Sequence, residues 1–272
     1  MRSGPVLRTL VLLLAGVAGV AAAATGLPER VAQGDLVIGR TTPGSQVVYG
    51  QRRLRVDGEG RFVFGVGRDE SGPVRLTVLA PDGTMETIER AVTPRNWRIE
   101  RVDGVDQATV TPNPEIAARI AREQARVSAA RERDDDRSDF AHGFRWPVSG
   151  RISGVYGSQR IYNGTPKSPH SGLDVAVPTG TPLRAPAAGV VTFADPGLYL
   201  TGGTLLLDHG HGVSSNFLHL SRIDVAVGDR VEAGQVIGRV GATGRATGPH
   251  MHWGMNWFDV RVDPQVLLPP AD

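Results

Sequence analysis

The sequence contains no cysteine. That absence excludes a disulfide framework, a thiol nucleophile and a thiolate metal site, and it leaves no residue for an N-terminal lipid anchor. Lysine is almost missing as well: Lys167 stands alone among 30 basic residues, a bias from which no function is read. Charge of one sign is lacking. The formal charge of +2 comes from Arg2 and Arg8, and without them 28 basic residues face 28 acidic ones. No electrostatic case for nucleic acid follows. Aromatic residues are only 6% against 35 glycines, which favours a turn-rich β protein over a helical bundle. The N-terminal apolar run from Leu10 to Val20 is short for a spanning helix of about 20 residues. With Arg2 and Arg8 before it and Ala22-Ala23-Ala24 after it, residues 1–24 read as a secretory signal peptide. The expectation is an exported protein, periplasmic or extracellular; an uncleaved membrane anchor is the alternative.

A chain of 272 residues holds one large domain or two modest ones. Residues 26–104 are strand-like. Val74-Arg75-Leu76-Thr77-Val78 alternates as a half-buried strand does, Phe62-Val63-Phe64 is a short apolar run, and Asp57-Gly58 and Asp82-Gly83 are turn dipeptides. The spacing predicts a small, immunoglobulin-like β-sandwich. It has no histidine, so its expected role is structural, or positioning and binding of an envelope partner. Residues 113–140 predict a charged linker helix that starts at Asn113-Pro114-Glu115, a cap followed by proline and an acid. Ile116, Ala117, Ile120, Ala121 and Val127 make a thin apolar stripe, and the run Arg131 to Arg137 closes the segment. Residues 143–272 return to glycine-punctuated strands, among them Val190 to Phe193, Thr204 to Leu207 and Val236 to Val240. The overall expectation is mostly β, and the oligomeric state is left open.

Six of the seven histidines lie between His170 and His252. In His170-Ser171-Gly172-Leu173-Asp174, residues four apart share one face of a strand; in His250-Met251-His252, residues two apart do so. Two imidazoles and a carboxylate form an incomplete N,N,O shell of the kind that suits catalytic zinc, with a coordination position left for water. Each half alone is a weak signal; the two together in one β region carry more.

These segments have a familiar frame. His170-Ser171-Gly172-Leu173-Asp174 is followed by Pro178-Thr179-Gly180-Thr181-Pro182, Asp208-His209-Gly210 and Leu218-His219-Leu220. Then come Val227-Gly228-Asp229-Arg230-Val231, Gly234-Gln235-Val236-Ile237-Gly238, Gly241-Ala242-Thr243-Gly244 and Thr247-Gly248-Pro249-His250-Met251-His252. The stretch closely resembles the lysostaphin-like, or LytM-type, family of peptidoglycan zinc endopeptidases, and implies an antiparallel β-sheet peptidase domain over residues 143–272. The resemblance implies one zinc ion held by His170, Asp174 and His252. It makes His219 and His250 catalytic histidines, and it implies a substrate groove lined by the region before His170, where Arg160 and Asn163 are candidate substrate contacts. Phe217 stands where the family often has tyrosine and is read as a core aromatic. His209 and His211 are read as turn residues, and His142 is assigned no role. Three readings follow: hydrolysis of peptide cross-links in peptidoglycan, a non-catalytic relative that binds the wall and activates amidases, and a plain wall-binding β module. Ligand loss marks the second, and all five key positions are intact. Within the first, direct stem-peptide cross-links are preferred to glycine bridges.

Overall fold

In the strand Val74–Leu79, buried Val74, Leu76 and Val78 alternate with exposed Arg75 and half-buried Thr77, the period-two pattern of a sheet with one face on a core. The computed structural model describes residues 25–104 and 113–269; the expected signal peptide, residues 1–24, lies outside them. Val74–Leu79 belongs to a four-stranded antiparallel sheet in the order Arg52–Leu54, Gln46–Tyr49, Val74–Leu79, Met85–Arg90. Leu36–Arg40 pairs antiparallel with Arg61–Gly65, and Val31–Ala32 pairs parallel with Val92–Thr93. The turn dipeptides act as expected: the Asp57 carboxylate accepts from the backbone N–H of Glu59 and Arg61, and that of Asp82 accepts from Thr84. These are small sheets around buried Val47, Phe62, Phe64 and Leu76.

The helix α1, Pro114–Arg131, starts where Asn113 Oδ1 accepts from Ile116 N at 2.9 Å, an N-cap followed by proline in the first turn. It ends at Arg131, short of the expected 140. Beyond it the chain runs against neighbouring segments: Asp134 takes the Arg55 guanidinium at 2.8 Å, and the Asp135 carbonyl accepts from His211 N at 3.0 Å. No helix residue is buried, yet Val127 and Ala130 pack on Phe193, Leu198 and Leu206. Among the described residues no helix is long and apolar enough to cross a membrane.

The second half is built on an eight-stranded antiparallel sheet. Its strands are β1 (Arg151–Gly154), β2 (Gly172–Ala176), β3 (Gly189–Leu198), β4 (Gly202–Asp208), β5 (Val213–Leu220), β6 (Arg230–Val231), β7 (Met251–Trp257) and β8 (Val260–Val262). The order is β1-β2-β7-β5-β4-β3-β6, with β8 also paired to β7. Every residue of β4 and β7 is buried, so the middle of the sheet is covered on both faces. A smaller sheet joins the halves: Gln159–Tyr162 pairs antiparallel with Thr165–Pro166 and parallel with Ile99–Val102.

The two halves share one core. Phe62 and Leu76 belong to the same buried cluster as Leu173, Phe217 and Trp253. Tyr49 meets Trp257 at 5.9 Å between ring centroids. Gly65 is pressed against β7, where a Cβ would lie 2.9 Å from Trp257 Cβ.

Candidate metal centre

The register of three strands sets the site. Asp174 on β2 lies directly opposite His252 on β7, and His252 lies opposite Leu218 on β5. Cross-strand partners share a face, so the aspartate and the second histidine of His250-Met251-His252 meet. His170 precedes β2 and is placed by its backbone: His170 N donates to Ser158 O at 2.7 Å, and Gly157 N donates to His170 O at 2.9 Å. Its Nδ1–H donates to Val155 O at 3.0 Å, which turns the Nε2 lone pair toward Asp174 and His252.

His170 Nε2 lies 3.2 Å from His252 Nδ1 and 3.1 Å from Asp174 Oδ2, and His252 Nδ1 lies 2.8 Å from Asp174 Oδ1. Two ligands of a tetrahedral zinc, each about 2.0–2.1 Å from the ion, are separated by roughly 3.3 Å. The observed spacing is therefore that of three donors converging on one small cation, and the N,N,O set suits zinc. Among the described residues these three form the one metal-site candidate. Burial works against a charged Asp174, but the close imidazoles of His170 and His252 outweigh it and hold the carboxyl well below its usual range. Burial pushes His252 down to about 4, against the pull of Asp174, so its ring is neutral near pH 7, the form that binds metal. Room for the carboxylate comes from Gly154, where a Cβ would lie 2.5 Å from Asp174 Oδ2.

His219 reaches the site through a break in β5. Phe217 pairs with Leu205 and Leu220 with Gly203, so two residues of β5, Leu218 and His219, face one of β4, Thr204, the signature of a β-bulge. His219 sits in that bulge with φ 62°, a left-handed conformation uncommon for residues other than glycine. Simple alternation would send it to the core side with Phe217. Instead its ring lies 4.9 Å from that of His250 and 6.4 Å from that of His252. His219 Nδ1–H donates to Thr243 O at 2.8 Å, and His250 Nδ1–H donates to Gly248 O at 2.8 Å. Both rings thus keep a basic Nε2, and that of His250 is 3.8 Å from Asp174 Oδ1. Burial lowers the pKa of His219, which keeps it neutral near pH 7.

All five histidine and aspartate positions named from sequence are brought together. The other two named residues lie on the hairpin that precedes His170. Arg160 lies on Gln159–Tyr162 opposite Glu100. Asn163 occupies the hairpin turn with φ 48°, a conformation asparagine tolerates. Phe217 is fully buried and stacks on Trp253 at 6.5 Å. The His209 ring is held by Ala188 O at 2.7 Å and Ser215 Oγ at 2.8 Å, and His211 sits in the β4–β5 turn with φ 50°. Sequence reasoning missed Gly154 and the carbonyls of Val155, Thr243 and Gly248. A backbone carbonyl leaves no residue-type signal, so only the fold reveals it.

A sheet of this topology with an N,N,O centre on one face defines a metallopeptidase class, and comparison with known proteins agrees. Peptidase family M23 matches residues 168–264. A crystal structure described as a peptidase M23 from Pseudomonas aeruginosa is 35% identical; the match covers 88% of this chain and 95% of that one, with a TM-score of 0.67. The chain belongs to peptidase family M23. Among curated relatives, the DD-carboxypeptidase/endopeptidase Mpg of Neisseria meningitidis is 44% identical over 101 residues, 37% of this chain and 22% of that protein. The peptidoglycan DD-endopeptidase ShyA of Vibrio cholerae is 40% identical over 112 residues, 40% of this chain and 26% of that protein. The chain thus spans about a quarter of the length of these two relatives.

Proposed function

We propose that this chain is an exported zinc endopeptidase that hydrolyses peptide cross-links in peptidoglycan. The observation that carries the reading is the convergence of His170, Asp174 and His252 with two further imidazoles whose Nε2 atoms are kept basic. The names of the relatives, peptidoglycan DD-endopeptidase among them, support the substrate class.

When bound, zinc supplies a Lewis acid that acidifies water and polarises the scissile carbonyl. His170, Asp174 and His252 would hold it, two imidazoles and one carboxylate being a donor set that suits catalytic zinc. Amide hydrolysis also needs a base for the attacking water, a partner for the oxyanion and a proton for the leaving amine. One imidazole of the His219 and His250 pair takes the proton from water and passes it to the departing amine. The other, once it has taken up a proton at Nε2 to become an imidazolium, donates a hydrogen bond to the oxyanion. The preferred bond is the direct cross-link between stem peptides, with Arg160 and Asn163 contacting substrate from the hairpin before His170.

The test is digestion of defined cross-linked muropeptide dimers with product weighing by mass spectrometry. Monomers should form with zinc and not with a chelator. Release of glycan fragments, or binding to the wall without cleavage, would sink the reading; the second outcome would favour an amidase-activating role. Export is tested by N-terminal sequencing of the mature protein, with a start near residue 25 expected.

A further inference from the structure

The segment that orients His170 is itself held by the N-terminal half of the chain. Residues 155–159 make three hydrogen bonds with His170: Val155 O accepts from its ring, Ser158 O accepts from its N–H, and Gly157 N donates to its carbonyl. The opposite side of this segment faces the N-terminal half. Arg68 Nε donates to Gly157 O at 2.8 Å, and Gln159 N donates to Arg98 O at 2.9 Å. The Trp97 indole packs closely against Gly157, where a Cβ would stand 2.2 Å from Trp97 Cε3 and φ is +80°. The guanidinium groups of Arg68 and Arg95 lie 5.2 Å and 4.6 Å from the indole centroid, and the Tyr156 ring meets it edge-on at 5.7 Å. Arg95 is anchored in turn on Asp263 at 2.8 Å.

We infer that Trp97 and Arg68 are positioning residues for the metal centre, and that the N-terminal half completes the support of His170. The physical reason is the character of the gripped segment. Val155 is 40% exposed, and Gly157 contributes no side chain to a core. Ser158 Oγ to Val155 O at 2.9 Å and Ser158 N to Val155 O at 3.4 Å are its internal ties. A turn so built keeps many conformations open unless an outside surface limits them. The indole covers Gly157 and Arg68 fixes its carbonyl plane, so the Val155 carbonyl stays aimed at His170 Nδ1. Groups that orient a ligating histidine affect metal affinity by about 10–100-fold. The inference rests on the zinc reading above for its metal readout and on geometry alone for its second readout.

The experiment compares full-length wild type with Trp97→Ala, Trp97→Phe, Arg68→Met and, as a control in the distant four-stranded sheet, Ile88→Ala. Zinc affinity is measured by competition with a chelating dye, and amide hydrogen exchange at Gly157 and His170 is followed in metal-free protein. Trp97→Ala should weaken zinc binding by about tenfold or more and speed exchange at both amides. Trp97→Phe should recover part of each, because a ring still covers Gly157. Ile88→Ala should lower Tm and leave both readouts at wild type. Should Trp97→Ala fail to fold, Arg68→Met, which removes the bond to the Gly157 carbonyl, should show the same two changes. Wild-type zinc affinity and unchanged exchange at His170 in a folded Trp97 or Arg68 variant would overturn the inference. A wild type that binds no zinc would overturn the functional reading, while exchange in metal-free protein would still decide whether Trp97 and Arg68 hold the segment.

Discussion

Asp174 is half-buried and ionised because two imidazoles stand beside it. Two histidines alone make a weak and labile shell. Asp174→Ala should therefore lose its zinc equivalent together with activity, as read by metal analysis of the purified variant; a full equivalent retained would refute the ligand assignment. His219 and His250 lie beside the donor set, each ring oriented by a backbone carbonyl at Nδ1. Their alanine variants should keep zinc near wild type while turnover on muropeptides drops roughly 100-fold. Loss of zinc in either variant would make that histidine a ligand. The five positions were legible in the sequence because the segments that carry them resemble those of a known peptidase family. The tautomers were not legible, since they are set by carbonyls of Val155, Thr243 and Gly248 that only folding brings to the rings.

At the scale of the element, strand positions followed from period-two patterning, as in Val74–Leu79, because one buried face imposes it. The bulge at Leu218 and His219 did not. It comes from a mismatch of register between β4 and β5, a relation between two strands and not a property of either. The charged run Arg131 to Arg137 marked the region where α1 ends, but not why the segment to 140 leaves the helix: the Asp134 carboxylate takes Arg55, and the Asp135 carbonyl accepts from His211 N in the β4–β5 turn. That turn has a consequence for acid stability. Burial lowers His209 to about 4, below its unfolded value of about 6.5. The folded state thus refuses a proton that the unfolded state accepts. The stability due to neutral His209 is complete above about pH 6.5 and is lost as pH falls toward 4. Urea unfolding of wild type and His209→Gln at about pH 7.5 and pH 5 isolates the effect. Wild type should lose on the order of 2 kcal/mol more than the variant on acidification; equal losses would show that the ring is not held neutral.

The whole molecule behaves as one body because its core runs from Phe62 and Leu76 to Trp253 and Met255. Calorimetry should show a single cooperative transition for the chain, where independent halves would give two. Gly65→Val should lower that transition by about 1–3 kcal/mol of stability through overpacking against Trp257 and Val262; an unchanged Tm would mean that the contact is loose. By itself the sequence determined the mostly β architecture and the helix start at Asn113, and it pointed to the candidate donor set, since periodicity, capping and ligand chemistry are local. Only the tertiary structure decided that His219 turns away from the core, that Gly154 leaves space for Asp174, and that Trp97 and Arg68 reach the segment beside His170. Those outcomes depend on which strands become neighbours and in what register, and that is settled by the shared core, which no short stretch of residues contains.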